Sequence, residues 1–175
     1  MSIVMNQSQD QSYTDLIATI RRMLQESEQQ SNRMMTMTNI SIEMSRVTDF
    51  EDILVIVQRE AKWLLEFEHC SVVFMNVYGM WESKVLIDRN HTDMVLDADA
   101  PAIQETIKTG NSKVLSDSDA DFLPDYAHKL VVPLATENQV IGTIQFGRYT
   151  PFEDEDLRVV LFLAYQIAST MDKAI

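Results

Sequence analysis

The spacing of apolar residues in the first part of the chain predicts one long helix. From Tyr13 to Val47 there is no Pro or Gly, and apolar residues recur at alternating steps of three and four. This heptad-like, coiled-coil stripe has polar interruptions at Ser27, Gln30 and Ser41. Its apolar members are Leu16, Ile20, Met23, Met34, Met37 and Met44. A lone helix with one apolar stripe needs a partner, and we expect a second copy of the chain to supply it. Residues 1–12, rich in Ser, Gln and Asn, are expected to form a disordered tail.

A second helix is predicted in "VTDFEDILVIVQREAKWLLEFE", which has a wide apolar face. Thr48 and Glu51 have the spacing of a capping box at its start. The next segment, "CSVVFMNVY", is apolar at both alternating sets of positions and ends at Gly79. It predicts a strand inside a sheet that is covered on both faces.

The rest of the pattern alternates strands with short and long helices. "WESKVLID" and "KVLSD" predict strands, and "PAIQETIKTG" predicts a short helix that ends at Gly110. "KLVVPLATENQVIGTIQFGRY" predicts an antiparallel hairpin, in which Pro133 indicates an edge position or a bulge. The last segment begins like a helix, with Thr150 as N-cap, Pro151 after it and Glu153 as capping acid. One stripe of this helix holds Leu157, Leu161, Ala164, Ala168 and Met171.

Together these elements predict an α+β fold, an antiparallel sheet with helices at both chain ends. We expect three parts: the tail over 1–12, a signalling and dimerisation helix over 13–47, and a domain over 48–175. The stripes of the first and last helices are the predicted homodimer interface.

Composition and charge limit the partners. The chain has 175 residues, of which 46% are hydrophobic and 23% charged, and its net charge is −13. Because phosphates and anionic lipids repel such a chain, we expect neither nucleic acid nor membrane as a primary partner. There is no secretory signal pattern and no apolar run of the ~18 residues that a membrane span needs. A cytoplasmic protein is the expectation.

The only cysteine, Cys70, follows His69 directly, which raises the question of a reactive pair. Adjacent strand residues point to opposite faces, so His69 cannot easily act as the base of Cys70. We therefore expect Cys70 to be structural and the protein not to be an enzyme. The histidines lack the paired spacing of a zinc site, although a haem held by one of them stays open. Alternating aspartates, Asp117, Asp119, Asp121 and Asp125, could hold a divalent cation loosely, but no full ligand loop is present.

The sequence resembles the GAF domain family over roughly residues 45–175. The resemblance is carried by "IVQREAKWLLEFEHCSVVFMN", "IKTGNSKVLSD", "LVVPLATENQVIGTIQF" and "PFEDEDLRVVLFLAYQIASTMDKA". It implies a GAF/PAS-like antiparallel sheet with terminal helices on one face and a small-molecule pocket on the other. Bilin-binding relatives place their cysteine in the region corresponding to 111–128, where this chain has none. The motif of cyclic-nucleotide binders and the several cysteines of the sulfoxide-reducing branch are also missing.

The resemblance implies a sensor module that controls a fused or partner signalling enzyme, such as a kinase, phosphatase or cyclase. The ligand and any cofactor are left unidentified. By family position the pocket walls would be Phe74, Asn76, Trp81, His91, Phe122, Tyr126, His128 and Val132. Asn76 and His128 are the preferred contacts because a buried polar group needs a partner. The alternative is a GAF domain without a ligand that acts only in dimerisation.

Overall fold

Five strands form one antiparallel sheet in the order β2-β1-β5-β4-β3. The computed structural model describes the backbone of residues 2–116 and 122–174 and the side chains of 7–116 and 122–172. The helices are α1 (Ser2–Met44), α2 (Phe50–Glu60), α3 (Pro101–Thr109) and α4 (Asp154–Ala174), and a 3₁₀ turn covers Ala61–Trp63. The strands are β1 (His69–Met75), β2 (Trp81–Asp88), β3 (Lys113–Ser116), β4 (His128–Ala135) and β5 (Val140–Arg148). This arrangement confirms the predicted α+β fold.

The chain divides into two units, Met1–Thr36 and Met37–Ile175. The first unit is helical from Ser2, so residues 2–12 are helical where the sequence predicted a disordered tail. The difference has a simple cause: Ser, Gln and Asn have only modestly unfavourable helix propensities, and neither Gly nor Pro interrupts this segment. Every side chain from Gln7 to Asn32 is exposed.

One face of the sheet, called here the helix face, carries the larger core of the second unit. Its sheet residues are apolar, and α2, α4 and the last turns of α1 pack on them. They are Cys70, Val72, Leu86, Leu130, Val132, Leu134, Ile144 and Phe146. The edge-to-face contact of Phe67 and Phe146, with ring centroids 5.1 Å apart, lies in this core. The prediction of terminal helices on one face is confirmed.

The opposite face, called here the loop face, is covered by α3 and by the segment that precedes β4. Val73 and Val131 contact a smaller core there that includes Ile103, Phe122 and Leu123. β1 lies between β2 and β5 and is covered on both sides, as its double apolar pattern predicted. Pro133 lies beyond the last pair between β3 and β4, where β4 has a free edge. The predicted edge position is thus confirmed.

Two helix starts differ from the predicted caps. The N-cap of α2 is Asp49, whose carboxylate accepts from the Glu51 N–H at 3.2 Å, and not Thr48. α4 begins at Asp154, and the Asp156 carboxylate accepts from the Glu153 N–H at 2.9 Å. The predicted Thr150 cap is therefore wrong; in both cases a carboxylate closer to the helix satisfies the free amide. The predicted left-handed Gly110 after α3 is confirmed, with φ of 72°.

A buried ion pair connects the end of β5 to the start of α4. Arg148 binds Asp156 at 2.6 Å and donates to the carbonyls of Glu66, Thr150 and Pro151. Its guanidinium also lies 4.2 Å from the centroid of the Phe152 ring. Because all these partners surround one side chain, Arg148 holds the chain in place where it leaves the sheet.

Candidate functional site

Polar side chains occupy the centre of the loop face, where β1 and β5 pair. Ser71 is the register partner of Gln145, and Val73 is the partner of Thr143. His69, Ser71, Thr143 and Gln145 are all fully buried. Buried polar groups are costly unless they are hydrogen-bonded, so their partners determine what this face can do.

These side chains form a continuous series of hydrogen bonds, called here the relay. The Thr143 hydroxyl donates to Gln145 Oε1, and Gln145 Nε2 donates to Ser71 Oγ at 3.0 Å. Ser71 Oγ lies 2.7 Å from His69 Nε2. The relay thus crosses the sheet from β5 to β1 and reaches the imidazole of His69.

Asp88, the last residue of β2, is the acceptor at the outer end of the relay. Its Oδ2 lies 2.8 Å from His69 Nδ1. Its Oδ1 accepts from the Tyr126 hydroxyl at 2.7 Å and from the backbone N–H groups of Asn90 at 3.0 Å and His91 at 2.9 Å. An ionised carboxylate can only accept, so His69 Nδ1 carries the proton and Nε2 accepts from Ser71. All donors of the relay then point toward Asp88.

The electrostatics agree with this order. Burial lowers the pKa of His69, and it outweighs the raising effect of the Asp88 carboxylate. Burial acts to raise the pKa of Asp88, but the hydrogen bonds from Tyr126, His69 and the Asn90 N–H together lower it. Burial, then the bond to Asp88, raises the pKa of Tyr126. The site therefore holds a neutral imidazole, a carboxylate and a neutral phenol at pH 7.

Ser71, His69 and Asp88 follow the connectivity of a hydrolase triad, but the serine is enclosed within the loop face. Ser71 is fully buried, and its oxygen already accepts from Gln145. A nucleophile needs access to a substrate and donors for the developing oxyanion. Cys70 lies on the helix face, away from His69, and burial raises the pKa of its thiol. Strand parity separates the two residues as predicted.

An open surface cavity of about 500 Å³ lies next to the relay and is lined by Asn90, whose backbone N–H donates to Asp88. Asn90 Nδ2 lies 3.4 Å from the Tyr126 hydroxyl and also contacts the Tyr149 hydroxyl. His91 Nε2 lies 2.6 Å from Asp125 Oδ2 on the other side of the cavity. Thr92, Asp93 and Met94 complete the lining. A molecule in this cavity would contact Asn90, whose backbone N–H donates a hydrogen bond to Asp88.

Tyr126 is held in place by close contacts with β5. A Cβ at Gly147 would come within 2.8 Å of the Tyr126 ring, so only glycine lets the ring lie on the strand. Nearby, Leu123 has a left-handed φ of 46°, unusual for a residue with a side chain. This loop therefore adopts a demanding conformation to bury Phe122, Leu123 and Tyr126 against the sheet.

The structure separates the predicted pocket residues. Trp81, Phe122 and Tyr126 lie on the loop face, and His91 lies at the cavity. Phe74 and Val132 instead pack on the helix face, because strand alternation directs them there. They cannot share a pocket with the other residues.

The two preferred polar contacts also lie elsewhere. Asn76 shapes the β1–β2 turn, with its Oδ1 accepting from the N–H groups of Tyr78 at 2.9 Å and Met80 at 3.1 Å. His128 is the first residue of β4, opposite Arg148, and shares the alternation of Leu130 and Val132. Sequence reasoning missed the polar residues that the structure brings together on the loop face, which are His69, Ser71, Asp88 and Gln145. Their signal was polar residues two apart, His69 with Ser71 and Thr143 with Gln145, in strands that are otherwise apolar.

The predicted dimer stripes are also divided. Leu16, Ile20, Met23, Met34 and Leu161 are exposed in the single chain. Met37, Leu157 and Met171 pack partly against the helix-face core. Met44, Ala164 and Ala168 are buried within that core, so a second chain cannot contact them, and the prediction is wrong for these three. Ala164 and Ala168 face the core of their own chain, whereas Leu161 lies on the exposed side of α4.

No metal site is evident in the part of the chain that the structure describes, since it contains no group of three His, Cys, Asp or Glu side chains able to hold an ion. Asp117, Asp119 and Asp121 lie outside the described residues, so the loose cation site stays a prediction. Among the described helices, none has the length and apolarity to cross a bilayer.

Comparison with known proteins decides the family. The sequence model of the GAF domain matches residues 49–171. The chain belongs to the GAF domain family. A comparison with curated protein sequences finds no match.

Solved GAF structures share the fold at low sequence identity. The GAF domain of an Acinetobacter phosphoenolpyruvate-protein phosphotransferase is 17% identical with a TM-score of 0.65, covering 81% of this chain and 93% of that one. The GAF domain of a Bacillus halodurans two-component sensor histidine kinase is 16% identical with a TM-score of 0.61, covering 72% and 95%. Free methionine-R-sulfoxide reductase from Neisseria meningitidis is 12% identical with a TM-score of 0.59, covering 79% and 87%. The TM-scores establish a common fold, and signalling GAF domains are among these structures.

Proposed function

We propose that this GAF domain is a non-enzymatic sensor. It binds a small polar ligand at the loop-face cavity, dimerises through its helices and controls a fused or partner signalling enzyme, such as a kinase, phosphatase or cyclase. The observation that carries the proposal is the relay from Thr143 in the centre of the sheet to Asp88, which Tyr126 and Asn90 connect to the cavity edge. A core that served stability alone would not need five polar side chains at this position.

The relay offers a physical way to detect occupancy. Asn90 contacts Tyr126 and, through its backbone N–H, Asp88. A ligand that takes the Asn90 side chain as a partner changes the hydrogen bonds available to Tyr126. Since every member of the relay has its partners, such a change favours a different arrangement of the whole set.

The proposed lack of catalysis is supported by the surroundings of Cys70 and Ser71, the two nucleophilic side chains that follow His69 in β1. Cys70 is buried and its thiol pKa is raised, so it does not form the reactive thiolate. Ser71 is equally buried and serves the relay. The sulfoxide reductase among the structural neighbours therefore shares the fold with this chain, and we do not transfer its reaction.

Native mass spectrometry of the purified full chain, with and without denaturation, tests the sensor proposal. We expect a bound small-molecule mass that is lost on denaturation and absent from Asn90→Ala. The matched control, Asn138→Ala in the exposed β4–β5 turn, should keep it. A clean apo protein whose melting temperature no metabolite, nucleotide or metal moves would refute the proposal.

A second function, dimerisation without a ligand, is favoured by the first unit. Leu16, Ile20 and Met23 are exposed on α1 at the spacing of a helical seam. The double variant Ile20→Lys/Met34→Lys should be monomeric by light scattering, whereas the double variant Gln25→Lys/Gln29→Lys, whose positions lie outside the proposed stripe, should remain a dimer. An unchanged dimer in the first variant would refute the seam.

A further inference from the structure

A second concave surface, called here the turn groove, lies beside the β1–β2 turn and has a volume of about 590 Å³. It is separate from the relay, because its lining residues share no member with the cavity at Asn90. Its size is within the range of small-molecule sites.

The floor of the turn groove is apolar and aromatic. The rings of Phe50 and Phe74 meet at a centroid distance of 4.5 Å and an angle of 57°. Met75 and Met171 also line the groove, and they provide flexible, polarisable surface. Tyr78 stands at the turn with 82% of its surface exposed. Uncovered aromatic and methionine surface in a concavity is typical of a binding site.

The rim of the turn groove is anionic. Glu82 is the register partner of Phe74, so its side chain stands beside the ring on the same face of the sheet. Asp49 contributes a second carboxylate, and the lining residues include no Lys, Arg or His. Lys84, two residues further along β2, is paired with Glu51 at 2.9 Å. The carboxylates of the groove therefore have no basic side chain among the residues that line it.

We propose that the turn groove binds an amphipathic organic cation, with an aromatic or aliphatic body on Phe50 and Phe74 and an ammonium group between Glu82 and Asp49. An organic anion would be repelled by these carboxylates and by the net charge of −13. A cation gains from both carboxylates and from the exposed ring faces. The site does not depend on the loop-face ligand, so either proposal can fail alone.

Methionine methyl NMR on the full chain tests the inference, since Met75 and Met171 both lie in the groove. The chain is labelled with [methyl-¹³C]methionine, and the two signals are assigned with Met75→Leu and Met171→Leu. The probes are phenethylammonium, neutral 2-phenylethanol and anionic phenylacetate. We expect phenethylammonium to shift both signals saturably, with affinity about fivefold above that of the alcohol. Phenylacetate should not saturate, and the Met34 and Met35 signals should not move.

The charge contribution is tested with one isosteric change and a matched control. Glu82→Gln should remove the preference for the ammonium probe over the alcohol. Glu66→Gln, before the opposite end of β1, should preserve it. The proposal is overturned if the three probes bind alike, if none saturates, or if Glu82→Gln keeps the preference. If the Met75 and Met171 signals shift with protein concentration and not with the probe, the groove is occupied by a second copy of the chain. That result would also overturn the proposal.

Discussion

The two faces of the sheet use alternate residues of the same strands but have opposite chemistry. On β5, Ile144 and Phe146 enter the helix-face core, whereas Thr143 and Gln145 enter the relay. Apolar burial stabilises the fold without specific partners, and a buried polar group contributes little net stability even when satisfied. The comparison teaches that one face stabilises the domain by apolar burial and that the other places a specific set of hydrogen bonds in the centre of the sheet.

The largest effect should come from the helix face. Phe146→Ala removes a ring that packs against Phe67 in the main core. We expect the free energy of unfolding to fall by about 3–5 kcal/mol, measured by urea denaturation. The control is Tyr165→Ala, which removes an exposed ring of similar size from α4. It should change the free energy of unfolding by less than about 0.5 kcal/mol. Equal losses of stability in Phe146→Ala and Tyr165→Ala would contradict the assignment of Phe146 to the helix-face core.

The acceptor of the relay comes next. Asp88→Ala leaves Tyr126, His69 and two backbone N–H groups without their acceptor. We expect a loss of about 2–3 kcal/mol, because buried donors lose their partner. Asp93→Ala, in the same loop but exposed, should stay within about 0.5 kcal/mol of the wild type. A negligible loss in Asp88→Ala would mean that these bonds do not exist in solution.

A close contact on the loop face gives a smaller effect. Gly147→Ala places a Cβ against the Tyr126 ring and should destabilise the fold by about 1–3 kcal/mol. The cost should shrink in the Tyr126→Ala background, where the ring is gone. A double-mutant cycle measures this coupling, and additive effects would contradict the contact.

The smallest effect is a pH dependence. His69 has a folded pKa below its ordinary value of 6.5, so the unfolded chain takes up this proton at higher pH than the folded chain. Stability is therefore lost as pH falls from 6.5 to the folded pKa of His69. Asp88, also lowered, adds a further loss below its ordinary value of 3.8.

His69→Gln separates the two losses. Urea denaturation between pH 7 and pH 4 should show a smaller drop for His69→Gln than for the wild type. His128→Gln, which changes a histidine at the start of β4 and outside the relay, should retain the wild-type drop. If His69→Gln and the wild type fall in parallel, then protonation of His69 does not destabilise the fold.

The sequence predicted the fold better than the site, for physical reasons. Apolar alternation showed that β1 is buried on both faces, and the glycine after α3 marked its end. The predicted N-caps of α2 and α4 were wrong by one residue or more, because several side chains able to cap lie near each helix start. Periodicity along the chain does not reveal which carboxylate is nearest the free amide.

The site depends on register, which the sequence did not supply. His69 and Ser71 share a strand face, and this parity was readable in advance. Their link to Gln145, 74 residues away from Ser71, and to Asp88 requires the pairing of β1 with β5 and β2. Phe74 and Val132 were assigned to the pocket by family position alone, and strand parity places them on the other face.

The central claim is that the loop face contains a neutral His69 within a relay whose donors all point toward Asp88, beside the cavity. Long-range ¹H–¹⁵N NMR of the histidine ring nitrogens at pH 7, assigned with His69→Gln, measures this directly. The account predicts a neutral imidazole for His69 with the proton on Nδ1 and an unprotonated Nε2. An imidazolium at pH 7, or a neutral ring protonated on Nε2, would contradict it.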